Sequence, residues 1–352
     1  MKKHILTGAI LALATLSACQ QLTPEPLQDI RFLTAQHAIT KSPIDGTSFP
    51  DDYNLIVSAY RNLGSHASAS DAAGNYFTSV TFTKHSSHWA EARYWPLDGS
   101  LDFLAYASTG LKDPNHGIVP TAVWGDAWGN VAKKVVLNVP DNSVLFDDLL
   151  YGCVNNQVYA AGGTPLTLSH AETVVCFAAK ANVAYDATNN RGVTINGITL
   201  DGAYYSGTLT IENPGAGGGS GNLSAVWSSL GSQTAHVPAR VYGGAACTAN
   251  DPALTGFHLG TTATTLSQKH FGEAYVILPP QAAQSFTIHY TVHNGKNGDT
   301  AVDNAMQYTY TCSGTWDQGT KNLYTIEITL NEVIITPTVT DWVAGNATTV
   351  QI

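Results

Sequence analysis

Apolar and polar residues alternate along much of this chain, in short stretches that end at Gly, Pro, Asn or Asp. Residues 76–83 set the pattern. Phe77, Ser79, Thr81 and Thr83 fall on one side, and Tyr76, Thr78, Val80 and Phe82 on the other. Residues 53–60, 92–96, 100–106 and Lys133–Val139 read as further strands, with a Leu97-Asp98-Gly99 turn joining the two middle ones. Asp29–Leu33 reads as a short strand, and residues 146–151 as a strand or a short helix. The run Ala160-Ala161-Gly162-Gly163-Thr164-Pro165 has the composition of a linker. Beyond it the rhythm resumes at residues 166–177, 193–200, 204–211, 274–278, 285–293, 307–312 and 324–341. Helical periodicities are few. The pattern predicts an all-β protein of two antiparallel β-sandwiches, an N-terminal domain at 29–162 and a C-terminal domain at 163–352.

The beginning of the chain follows another logic. Met1-Lys2-Lys3-His4 is a short basic segment, residues 5–16 are apolar with small residues, and Leu16-Ser17-Ala18-Cys19 comes next. This is the layout of a secretory signal peptide over residues 1–18, too short for a resident membrane span. Leu-Ser-Ala-Cys is similar to a bacterial lipobox, in which the Cys thiol is acylated and the chain is cut just before it. Cys19 is therefore the lipidation candidate, residues 19–28 form a lipidated tether, and the expected location is the bacterial outer membrane. Several acyl chains give stable anchoring at roughly 0.8 kcal/mol per buried methylene.

Composition narrows the function. With 44% hydrophobic residues in 352 the chain can bury a large core, and 32 Gly with 15 Pro suit strands joined by turns. A net charge of −10 and only 12% charged residues argue against a nucleic-acid partner.

Candidate chemistry is sparse. Cys153, Cys176, Cys247 and Cys312 remain after Cys19, and no Cys-x-x-Cys spacing occurs among them. Four cysteines outside the cytoplasm allow three disulfide pairings, and Cys176 also suits a small buried apolar position. His85 and His88 read as surface imidazoles of a turn. Asp98 and Asp102 flank a tight turn whose Asp-Gly pair accounts for the first of them. Neither a Gly-x-Ser-x-Gly elbow nor a phosphate-binding loop is present. The sequence nominates no catalytic, cofactor-binding or metal-ligating residue, and a protein without enzymatic activity is expected. Trp89, Tyr94, Trp95, Phe103 and Tyr106, with Trp316 and Trp342, suit either sandwich cores or a stacking platform for glycans.

One order of motifs is more specific. Ala92-Arg93-Tyr94-Trp95-Pro96 is followed by Leu101-Asp102-Phe103-Leu104-Ala105-Tyr106. Then come Leu166-Thr167-Leu168-Ser169-His170-Ala171, Val193-Thr194-Ile195 with Leu200-Asp201-Gly202, and Tyr275-Val276-Ile277-Leu278-Pro279-Pro280-Gln281. Trp316, Gly319, residues 324–330 and Asp341-Trp342 close the order. Together with the lipobox it resembles the fimbrillin family, the type V pilins of Bacteroides-like bacteria. The resemblance implies two tandem transthyretin-like sandwiches, export as a lipoprotein to the cell surface, and a place in a fimbrium that serves adhesion. It implies other pilin subunits as partners, held by strand exchange after a protease removes the first strand, and host or bacterial surface receptors or glycans as further partners. It implies no cofactor. Here Lys41 is the first candidate for the cut and Arg31 the second; many family members carry Arg where Lys41 stands. Residues 334–352 are read either as the donor strand or as the last strand of the second domain. In the latter case an accessory, tip or anchor subunit is expected. A non-polymerising surface lipoprotein that binds glycans is the alternative.

Overall fold

The computed structural model describes residues 28–33, 52–62, 75–85, 88–115, 117–125, 133–142, 147–213, 223–231, 237–239, 257–265, 275–329 and 332–342. Among them the ordered elements are strands and no helix occurs, as low charge and period-two alternation predict. In chain order these are β1 (Asp29–Leu33), β2 (Asn54–Asn62), β3 (Asn75–His85), β4 (His88–Tyr94), β5 (Ser100–Ser108), β6 (Thr121–Trp124), β7 (Lys133–Val139) and β8 (Leu150–Gln157). Next are β9 (Thr164–Pro165), β10 (Ser169–His170), β11 (Thr173–Ala181), β12 (Arg191–Leu200), β13 (Gly207–Asn213), β14 (Ser224–Ser228), β15 (Val237–Ala239) and β16 (Phe257–His258). The last are β17 (Thr264–Thr265), β18 (Tyr275–Leu278), β19 (Gln281–Ala282), β20 (Phe286–Asn297), β21 (Thr300–Tyr310), β22 (Thr315–Trp316), β23 (Thr320–Ile328) and β24 (Val333–Asp341).

The largest sheet has eight strands in the order β10-β8-β5-β2-β3-β4-β1-β9. It is covered on both faces. Leu55, Val57 and Ala59 of β2 enter one core, while Ile56 and Tyr60 enter another. Its neighbour β5 is buried along almost its whole length, so between its terminal Ser100 and Ser108 it reads as an apolar run with one charged residue, Asp102. The first core forms because the sheet curls on itself. Phe32 of β1 lies 4.9 Å from Phe103 of β5 between ring centroids, although three strands separate β1 from β5 in the sheet order.

A single stretch reaches both edges of this sheet. Its start, β9, pairs in parallel with Phe32 and Leu33 of β1, and its end, β10, pairs with Leu150 and Tyr151 of β8. Between them Leu166 and Leu168 are buried in the first core. The stretch can pass close to β8 because residue 152 is Gly; a Cβ there would strike the Thr167 carbonyl and the Leu168 side chain.

The second core lies between the other face of that sheet and the four-stranded sheet β14-β13-β7-β6. Ile56, Tyr60, Leu104 and Tyr106 meet Val135, Leu137, Leu209 and Ile211 there. Lys133–Val139 is a strand over the residues its alternation predicts. Its partner β13 comes from beyond residue 163, so sheet pairing crosses the boundary expected at 162/163. The Gly-Gly pair is a turn inside the first sandwich. Gly163 has φ of 89°, and its N–H donates to the Ala160 carbonyl at 2.9 Å.

The third core joins two more sheets. One runs β11-β23-β24, with β17 and β18 on the far edge of β11; the other runs β12-β20-β21, with β15 and β16 on the far edge of β12. Phe177, Phe286, Tyr324 and Trp316 fill the space between them. The stretch read at 166–177 divides into β10 and β11, and that at 324–341 divides into β23 and β24 at a turn where the Thr329 N–H donates to the Glu332 carbonyl at 2.9 Å. The β-strand in the 146–151 region begins at Leu150. In β3 the alternation breaks: Ser79 has φ of 56°, the β2–β3 register shifts there, and Phe77 and Phe82 both reach the first core.

Candidate functional site: the first strand and the edges of the second sandwich

Strand β1 carries the sequence Asp-Ile-Arg-Phe-Leu with alternate residues exposed and buried. Ile30 and Phe32 are fully buried. Phe32 packs edge-to-face on Phe82 at 5.0 Å and on Phe103 at 4.9 Å. The backbone is held on both sides: β1 runs antiparallel to β4 and parallel to β9. Two further bonds fix its ends, Trp95 N–H to the Gln28 carbonyl at 2.9 Å and Leu166 N–H to the Leu33 carbonyl at 3.1 Å. β1 thus fills a slot in the first core while making few local contacts of its own.

Arg31 sits in the middle of that strand. Its side chain points outward and forms an exposed ion pair with Asp29 at 3.3 Å. Cys19, Lys41 and Cys247 lie outside the described residues. Cys153 and Cys312 are free thiols, and the Cys176 thiol donates to the Asn322 carbonyl at 3.6 Å. Cys176 is a buried member of the third core, and burial pushes the Cys153 and Cys312 thiols up.

At the other end of the chain β24 pairs with β23 along its whole length. Val333 and Ile335 pack on the third core; Pro337 and Val339, on the same side of the strand, are exposed. β24 is followed by Trp342, whose N–H donates to the Gly319 carbonyl at 2.6 Å. The indole stacks on His170 at 3.6 Å between centroids, with planes 12° apart.

Beneath Trp342 lies a buried polar cluster where the two sandwiches meet. His170 Nδ1 contacts both oxygens of Asp148, at 3.1 and 3.0 Å. The Asp147 carboxylate accepts from the N–H groups of Gly110, Ile118 and Asp148 and from the Thr109 hydroxyl. Glu172 accepts from the Leu149 N–H at 3.1 Å and the Asn142 amide at 3.4 Å. Burial pushes Asp147 up to about 6, against those bonds, which pull it down. Glu172 is held well above the usual carboxylate value, by burial first and then by Asp148. Gln318 ties the sandwiches together through the Tyr151 hydroxyl at 2.9 Å. Sequence reading passed over this cluster, because its members are brought together by the junction and not by spacing.

The acidic pair considered from sequence is separated. Asp98 is exposed and paired with Arg61, whereas Asp102 is buried and paired with Lys133 at 2.7 Å. Asp98→Ala is expected to change the unfolding free energy by less than about 0.5 kcal/mol in urea titration, as the Asp98 side chain is largely exposed. A larger loss would mean that the Arg61 pair is an organising contact. His85 and His88 stand across the β3–β4 turn with rings 6.1 Å apart. Among the described residues no group of three or more His, Cys, Asp or Glu could hold a metal ion.

A further cluster has a suggestive order of atoms. Asp303 Oδ1 is 2.8 Å from His293 Nδ1, and His293 Nε2 is 2.8 Å from the Thr194 hydroxyl. His258 Nδ1 approaches the same hydroxyl at 2.7 Å. On an open surface this would resemble a nucleophile with its base. Thr194 is only 3% exposed, however, and Tyr185 stacks on His258 at 3.8 Å. The hydroxyl is spent inside a closed network.

Most of the aromatic residues singled out in sequence fall in the cores. Trp89, Trp95, Phe103, Tyr106, Trp316 and Trp342 are all buried, and of the group singled out in sequence Tyr94 alone is exposed.

The sequence profile described as fimbrillin-like matches residues 45–342. The chain therefore belongs to the fimbrillin-like family. No curated protein matches it in sequence. Among solved structures it is similar to a fimbrial protein from Bacteroides vulgatus, with 13% identity, TM-score 0.61, and coverage of 90% of this chain and 99% of that one. A putative cell adhesion protein from Bacteroides uniformis aligns at 16% identity and TM-score 0.46, over 90% of this chain and 99% of that one. The family places the protein with fimbrial proteins of the cell surface and implies association with other pilin subunits.

Proposed function

We propose that this chain is a structural subunit of a cell-surface fimbria, exported as a lipoprotein acylated at Cys19 and assembled by removal of its first strand and strand exchange. The observation that carries this reading is β1: five residues, paired on both sides, with Ile30 and Phe32 buried in the core. A single cut between β1 and β2 leaves it attached by non-covalent contacts alone. Its departure would expose an apolar slot lined by Phe82 and Phe103 and flanked by free edges of β4 and β9. A strand from another subunit can satisfy both.

Lys41 is the better position for the cut. A protease binds its substrate as an extended single strand, and the backbone around Arg31 is already engaged with β4 and β9. Lys41 belongs to the connection between β1 and β2. The donor is the segment after Trp342, residues 343–352, because β24 is already the edge strand of its own sheet, paired with β23 along its whole length. Adhesion through a platform of the rings singled out in sequence has little support, since of that group Tyr94 alone is exposed.

The test is the N-terminal sequence of the protein in material sheared from cells. A start at Ser42 is expected. A start at Phe32 would move the cut to Arg31. A start at acylated Cys19, in chains retained by the membrane, would overturn strand removal and leave an anchor subunit or a glycan-binding lipoprotein.

A further inference from the structure

The last strand of one sheet in the second sandwich is left open. β21 pairs with β20 along one edge, and among the described residues no strand pairs with the other. It is 11 residues long, and every residue from Thr300 to Thr309 is exposed. A free edge of this length is a template for another strand, and proteins commonly blunt such edges with Lys or Pro. β21 has neither. By contrast, the edge strand β24 on the facing sheet carries Pro337.

The register with β20 shows which way the side chains of β21 point. Ile288 faces Tyr308 and Tyr290 faces Met306, and both β20 residues are buried in the third core. Met306 and Tyr308 therefore lie on the inner face, and so does Val302 by alternation. They are 48%, 38% and 40% exposed. The inner face thus continues past the core as a mainly apolar stripe, interrupted by Asn304.

We propose that the occupant of this edge is β21 of a second copy of the chain, running antiparallel about a twofold axis at Ala305. This register overlaps all of β21. On the inner face it sets Val302 against the partner's Tyr308 and Asn304 against the partner's Met306, each twice by symmetry. On the outer face it sets Asp303, the one charged residue of the strand, against the partner's Gln307, so no like charges oppose. Asp303 Oδ1 is occupied by the His293 ring and the Asn190 amide, each at 2.8 Å. That leaves Oδ2 to accept from the partner's Gln307 amide. The contact uses the same patch on both copies and closes on itself. It gives a dimer with one continuous sheet, unlike the open-ended series that strand exchange builds.

The experiment measures the mass of the full, uncleaved chain in solution against concentration, by light scattering and sedimentation. Retaining β1 keeps strand exchange out of the readout. A monomer–dimer equilibrium is expected. Gln307→Asp places a carboxylate opposite Asp303 at two symmetric sites and should weaken the dimer by at least about tenfold. Gln307→Lys places an ammonium there and should hold or tighten it. Gln307 is exposed, so neither change enters a core. A wild-type chain that stays monomeric, an open-ended series of oligomers, or two variants that shift the equilibrium in the same direction would each overturn the proposal.

Discussion

Replacing Phe32 with alanine is expected to lower the unfolding free energy by about 3–5 kcal/mol. The ring is fully buried and edge-on to Phe82 and Phe103. Its loss removes apolar burial and two aromatic contacts, and it leaves a cavity that β4 and β9 hold open by pairing with the flanking backbone. Arg31→Ala is the control in the same strand. That side chain is about half exposed and paired only with Asp29, so its loss should cost less than about 0.5 kcal/mol. Urea unfolding of both variants reads the difference. Equal small effects would show that β1 adds little to the first core, and the slot invoked for strand exchange would then have no driving force.

A second large effect is a dependence of stability on pH in an unusual direction. The Asp147 carboxyl is pushed up to about 6 from an ordinary 3.8, and Glu172 moves the same way. Both are raised, so the folded chain holds protons that the unfolded chain releases. Their contribution is fully present below the unfolded values, near pH 4, and is lost as pH rises through about 6. For Asp147 the loss is on the order of 3 kcal/mol. Unfolding at pH 5 and at pH 7.5 should therefore find the protein more stable at the lower pH. Glu172→Gln, which keeps the size and an acceptor for the Leu149 N–H, should flatten the profile. A profile that rises with pH would show that the bonds to these carboxylates outweigh their burial.

The fold class was legible because strands buried on one face alternate and turns carry Gly, Pro and Asp. Lys133–Val139 and the buried pair Ile30 and Phe32 illustrate how far period-two reading reaches. Two kinds of feature escaped it. At Ser79 a positive φ and a register shift move Phe77 to the same core as Phe82, and no side chain nearby announces the bulge. The partner of β7 is β13, far away in sequence, so the Gly162-Gly163 turn passed for a boundary. The junction cluster is harder still. Glu172 stands in a run that reads as apolar strand, and its partners Asn142 and Leu149 belong to the other side of the sheets. In the second sandwich only residues 307–312 read as strand where β21 runs from Thr300 to Tyr310, and alternation does not say whether a strand has one neighbour or two.

The surroundings of β1 carry a consequence for recognition. One neighbour runs antiparallel to it and the other runs parallel. An occupant inserted in the reverse direction would simply exchange the two kinds of ladder, ending with one of each again. Backbone bonding in this slot is therefore close to indifferent to polarity. Direction has to be read by side chains, by the position at which an incoming residue meets Phe82 and Phe103. Any strand that binds here is sorted by where it carries its ring.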